Sequence, residues 1–172
     1  MDPYEEERAA LEKAAFAAEL RMAMEEGVER GWLFVEEREN GESPNFVAVD
    51  AHGSVFTTEA ALGRIQKFTE DGKVLFGFGD NSIGPGGFGG RPKNLPGPIA
   101  VCVDKQGRIW VSATNNRVQQ FSAEGKFLSG FGQEGKELSE FKTPHGLAID
   151  SKGDLYVVDA QNQRIQKFAV ND

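Results

Sequence analysis

An all-β repeat fold of four-stranded blades, preceded by one N-terminal helix, is predicted by three observations on this 172-residue chain. First, one pattern recurs three times: a short apolar strand ending in Asp, a turn at Gly, a second strand, then Arg, an apolar residue and Phe. Its anchors are Asp50, Asp104 and Asp150; Gly53, Gly107 and Gly153; Arg64, Arg117 and Arg164; Phe68, Phe121 and Phe168. Second, the copies are offset by roughly 50 residues, the length of a four-stranded propeller blade. Third, the 21 glycines suit a turn-rich β protein, and 39% apolar content suits a globular core.

Each element has a local reason. Asp2 is an N-cap with Pro3 at the first helical position, and Glu5, Glu6 and Glu7 complement the helix dipole. The Ala/Glu/Leu/Met-rich stretch that follows carries an apolar stripe through Leu11, Ala14, Ala15, Ala18 and Met22 and stops at Gly27, predicting an acidic amphipathic helix within residues 1–30. Residues 31–42 hold one short strand, 32–37 (Trp-Leu-Phe-Val-Glu-Glu), and a turn-prone linker. Residues 43–172 hold the blades, with strands expected at 46–50, 55–58, 64–68 and 74–78, then 99–104, 109–113, 117–121 and 127–131, then 147–150, 155–159 and 164–168.

The third blade lacks an outermost strand, and the strand 32–37 lacks a blade. Together they make three blades of four, half of a six-bladed ring. An open sheet edge invites association, so the sequence predicts a homodimer in which each chain lends Trp32, Leu33, Phe34 and Val35 to its partner's last blade, beside Ile165 and Phe168.

Charge narrows the function classes. Residues 1–42 carry 13 acidic and 5 basic side chains, and residues 43–172 carry 14 of each. A repeat region with no basic surplus predicts no nucleic-acid partner. No apolar run approaches a membrane span, and the acidic start is unlike a secretory signal, which predicts a cytoplasmic protein. Cys102 is the single cysteine, on an apolar strand, and reads as an inert buried thiol. The Gly-rich run 84–90 precedes no helix and is not read as a phosphate loop. The 19 residues 80–98 form an enlarged connection, against 12 in residues 133–144, and place Arg91 and Lys93 among candidate ligand-binding groups.

Residues 147–168, read as Leu-Ala-Ile-Asp-Ser-Lys-Gly-Asp-Leu-Tyr-Val-Val-Asp-Ala-Gln-Asn-Gln-Arg-Ile-Gln-Lys-Phe, resemble the NHL repeat family of β-propellers. Blade two keeps Asn116-Arg117-Val118 but is read with Ser112 at the position of the second Asp, Asp159; blade one is read with Thr58 there. The recurrence of the Arg in all three blades assigns it to the scaffold. Pro144-His145-Gly146-Leu147 resembles the Pro-His-x-Leu/Ile motif of the NHL-type peptidyl-hydroxyglycine amidating lyases, which implies a channel zinc and makes His145 a candidate metal ligand. Asn45 and the Gly97-Pro98 pair stand at the equivalent points of blades one and two, and Thr114 stands where those lyases carry a tyrosine. A catalytic zinc needs three protein ligands, so the expected function is a non-catalytic binding or assembly module for a protein or peptide, without a cofactor. The competing class is a lyase-like or metal-assisted enzyme. The candidate channel-mouth residues are Asn45, Arg91, Lys93, Thr114 and His145.

Overall fold

The structure, a computed structural model, describes residues 44–89 and 97–170, all within one of the two units into which the chain divides, Glu37–Asp172. The expected N-terminal helix, the strand at 32–37 with Trp32, Leu33, Phe34 and Val35, and the loop residues Arg91 and Lys93 lie outside the described residues.

Three antiparallel sheets account for the described chain. Sheet 1 runs β1 (Phe46–Val49), β2 (Val55–Glu59), β3 (Arg64–Phe68) and β4 (Val74–Phe78) in order; sheet 2 runs β5 (Pro98–Val103), β6 (Ile109–Ala113), β7 (Arg117–Phe121) and β8 (Phe127–Phe131). Sheet 3 has β9 (Pro144–Ile149), β10 (Asp154–Asp159) and β11 (Arg164–Ala169), so β11 is an edge strand among the described residues. Sequential strands pair with sequential strands, as short β-turns require.

The repeated Asp builds the first turn of every blade. Asp50 Oδ1 accepts the backbone N–H groups of His52 and Ser54, Asp104 Oδ1 those of Gln106 and Arg108, and Asp150 Oδ1 those of Lys152 and Asp154, all at 2.8–3.0 Å. Its role is that of an Asx-turn, a side-chain oxygen taking the place of a backbone acceptor.

Period-2 alternation gives each sheet two apolar faces, and consecutive sheets pack face to face. Ala48, Phe56, Ile65 and Phe78 of sheet 1 meet Val101, Ile109, Val111 and Phe121 of sheet 2. The opposite face of sheet 2, with Cys102, Trp110, Val118 and Phe131, meets Leu147, Ile149, Leu155, Val157 and Phe168 of sheet 3. Aromatic rings tie both layers: Phe78 lies 4.9 Å from Phe121, and Phe131 lies 4.8 Å from Phe168, between ring centroids. A hydroxyl also bridges each pair of sheets. Thr58 Oγ1 donates to Ile99 O at 2.9 Å, and Ser112 Oγ donates to His145 O at 2.8 Å. The third residue of that series is Val158, which has no hydroxyl to offer.

Candidate functional site

The second and third strands of each blade are joined by a tight loop, and the three loops differ in one decisive residue. Strand register sets Glu59 opposite Arg64, Ala113 opposite Arg117, and Asp159 opposite Arg164. The position of the second Asp is therefore held by Glu59 and Ala113, not by Thr58 and Ser112 as the sequence alignment placed them. Counted from the turn glycine, the offset is the same in every blade: Gly53 to Glu59, Gly107 to Ala113, Gly153 to Asp159. The displaced residues Thr58 and Ser112 turn to the next sheet as the hydroxyl bridges already described.

In blades one and three the acid neutralises the arginine. Glu59 Oε2 lies 2.6 Å from Arg64 Nε, and Asp159 Oδ2 lies 2.8 Å from Arg164 Nε. The Asp159 side chain is fully buried. Burial alone would raise its pKa, but the backbone N–H of Lys142, the amide of Asn162 and the guanidinium of Arg164 together outweigh it and hold the carboxyl below its usual range. Arg164 goes on to donate to the carbonyls of Lys136, Glu137 and Glu140 at 2.6, 2.7 and 3.0 Å. Blade two has only the methyl of Ala113 at this place. Among the described residues the Arg117 side chain has neither an acidic partner nor a hydrogen bond.

Around Arg117 opens a cavity of about 650 Å³. Its walls are the β6–β7 loop from Thr114 to Arg117, Gly132, Gln133 and Glu134 after β8, Lys142 and Thr143 before β9, Gln161 of the β10–β11 loop, and Ile83 and Gly89 of the connection after β4. Its volume falls in the range of small-ligand sites. The local chain is shaped for it. Thr143 has φ 56°, a left-handed conformation that a β-branched residue adopts only at a cost of about 1–3 kcal/mol. It is held there because its N–H donates to Asn116 Oδ1 at 2.9 Å. Asn116 is itself left-handed, with φ 61°. Gly132 has φ 100°, and a Cβ there would come within 2.7 Å of both Asn116 O and the Phe141 ring, so only glycine lets the three segments approach. Asn115 donates through Nδ2 to Gly87 O at 3.4 Å, while its Oδ1 is buried and accepts nothing.

The residues singled out from sequence are divided by the structure. Thr114 lines the cavity, its N–H donating to Gly97 O at 3.2 Å. Asn45 serves the blade-one loop instead, accepting from the Ala60 N–H at 3.4 Å. His145 is exposed on β9, outside the cavity wall. Ile165 is exposed on β11, whereas Phe168, paired with it in the expected closing contact, points the other way into the layer between sheets 2 and 3. Among the described residues no group of three or more His, Cys, Asp or Glu side chains converges on one point, where a catalytic zinc takes three protein ligands. Also among the described residues, no helix is long and apolar enough to cross a membrane. The Cys102 thiol is pushed up to about 12 by burial and by neighbouring Asp104, which leaves it unreactive at neutral pH. Arg117 is the functional candidate that the repeat pattern concealed; its signal in the sequence is Ala113 where the other two blades carry an acid.

Residues 141–168, which span sheet 3, match the NHL repeat. The chain is 32% identical over 136 residues to peptidylglycine alpha-amidating monooxygenase of Rattus norvegicus, covering 73% of this chain and 13% of that protein. It is 26% identical over 132 residues to a probable peptidyl-alpha-hydroxyglycine alpha-amidating lyase of Caenorhabditis elegans, covering 73% of this chain and 37% of the lyase. It thus spans well under half of either relative. Among solved structures, a streptogramin B lyase superposes with TM-score 0.55 at 18% identity, over 75% of this chain and 38% of that one. The blade pattern, the stacked sheets and these likenesses agree: the chain carries an NHL repeat at residues 141–168 and is built of β-propeller blades.

Proposed function

We propose that this chain is a non-catalytic binding and assembly module, half of a six-bladed propeller that a second copy completes. One position repeated three times carries the reading. Ile65 and Val118 are 0% exposed because the next sheet covers them, while Ile165 at the same register is 68% exposed. Val158 beside it is 39% exposed, where Thr58 and Ser112 are 0%. At the opposite end of the stack the open part is the inner strand: Val47 and Val49 are 64% and 60% exposed, where Val101, the counterpart of Val47, is 5% exposed against sheet 1, while Val55, Thr57 and Phe68 on the same face of sheet 1 are buried. The uncovered face of sheet 3 and the open inner strand of sheet 1 are the surfaces that two copies arranged head to tail would bury. The edge of β11 then takes the strand 32–37 of the other copy, with Trp32, Leu33, Phe34 and Val35 beside Ile165 and Phe168, leaving no unpaired edge. The ring displays its loops, the Arg117 cavity included, to a protein or peptide.

Light scattering on the full chain tests it. The expected mass is that of a dimer, with Ile165→Glu giving a monomer of unchanged circular dichroism. A wild-type chain that stays monomeric and folded at tens of micromolar overturns the reading.

A second reading, a lyase-like or metal-assisted enzyme working in the ring channel around His145, draws on the similarity to the nematode lyase. Metal analysis of protein purified without added metal decides between them. Stoichiometric zinc that disappears in His145→Ala favours the enzyme; metal-free protein favours the module.

A further inference from the structure

We infer that the cavity at Arg117 binds a carboxylate. The inference goes beyond the ring-closing proposal and stands apart from it, because the cavity is walled by blades and connections of a single chain.

The argument starts from three copies of one loop. In two of them an acid and an arginine pair within 2.8 Å. In the third the arginine is kept and the acid is replaced by Ala113. A guanidinium presents five N–H donors in a planar fork matched to a carboxylate. Arg164 shows how fully such a group is used in this fold, with one carboxylate oxygen and three carbonyls around it. Arg117 has none of these among the described residues, and it lines a cavity of about 650 Å³. The acid missing from the chain is thus the chemical group that the site accepts from outside.

The remaining lining agrees. Lys142 is exposed and adds a second cation, against the single acid Glu134, so the wall carries net positive charge. The hydroxyl of Thr143 and the side chain of Gln161 offer further donors. The left-handed Thr143 stores strain at this spot, and the buried Asn115 Oδ1 goes without a donor; both are features of a site built for an occupant rather than for stability alone. The opening is large enough for an acidic side chain with its flanking backbone or for a small organic acid, and the carboxylate is common to both.

Calorimetric titration of the full chain tests this with three probes: sodium succinate, the capped tripeptide acetyl-Gly-Asp-Gly-amide, and the same tripeptide with Asn in place of Asp. The expected result is that at least one carboxylate probe binds and that the Asn peptide binds about tenfold more weakly or not at all. The tighter of the two acids identifies the source, peptide or free acid. Arg117→Gln is expected to weaken binding about tenfold or more with an unchanged thermal transition. Ala113→Asp is expected to do the same by supplying the acid internally, as in blade three. The Ile165→Glu variant is expected to bind as the wild type does, so a failure of ring closure leaves this result standing. Equal binding of the Asp and Asn peptides, undiminished binding in Arg117→Gln, or no binding by either carboxylate overturns the inference.

Discussion

Blades two and three are built from the same pattern, yet they spend their arginine differently. In blade three, Arg164 is committed to the protein itself: it holds a buried Asp159 and ties down the connection from Lys136 to Glu140 through three carbonyls. In blade two, Arg117 begins an equivalent strand at an equivalent register but faces a cavity. The difference is a carboxylate present at residue 159 and absent at residue 113. It shows that in a repeat protein the residue to examine is the one whose partner has changed, because an unaltered residue in altered company acquires a new role.

The comparison is sharpened most by removing each arginine in turn. Arg164→Ala leaves the fully buried Asp159 carboxylate without its cation and frees three carbonyls of the preceding connection; breaking a buried pair on one side costs about 3 kcal/mol. Arg117→Ala removes a side chain with no described partner and is expected to cost under about 0.5 kcal/mol, the range of ordinary surface changes. Chemical denaturation of both variants beside the wild type gives the two numbers. Equal losses would mean that Arg117 is a scaffold residue like Arg164, and the contrast between the blades would collapse.

Most of this fold is legible in the sequence because the blade is specified locally. Asp50, Asp104 and Asp150 each close a turn within four residues of themselves, and alternation alone determines which side chains face a neighbouring sheet. Which neighbour they face is not local. Ile65, Val118 and Ile165 are interchangeable as letters, and only the stack of sheets distinguishes two buried residues from one exposed. Phe168 illustrates the same limit: its place beside Ile165 on β11 suggested a shared surface, but it lies an odd number of residues away and so falls on the opposite face. The cavity was hidden for a further reason. Its wall is assembled from four connections whose convergence depends on register, on the left-handed Asn116 and Thr143, and on the close approach at Gly132. Histidine drew attention by its rarity, whereas Arg117 was masked by recurrence. Its signal was an absence one strand away.

Acid provides a milder way to separate the two blades, since the titratable group at the decisive position exists in only one of them. Asp159 is buried, which raises its pKa, but the Lys142 N–H at 2.7 Å, the Asn162 amide at 2.9 Å and Arg164 at 2.8 Å favour the charged form and bring the balance below the usual carboxylate value. Asp150, at the first turn of the same blade, is also lowered, chiefly by the Asp154 N–H and with help from the Lys152 N–H and the Tyr156 hydroxyl. A carboxyl whose pKa is depressed in the folded state binds its proton more readily when unfolded. Its stabilisation is therefore complete above the unfolded value near pH 4 and is withdrawn as the pH falls through the folded value. Ala113 has nothing to titrate. Backbone hydrogen exchange along a pH series from 6 to 3 is expected to show protection in β10 and β11 falling before protection in β6 and β7, with the Lys142 N–H, which donates directly to Asp159, among the first affected. In Arg164→Ala the onset moves to higher pH, because losing the cation removes one of the influences that holds Asp159 ionised. Simultaneous loss across both blades would locate the acid-sensitive contact elsewhere, for instance in the turn clamps that blades two and three share.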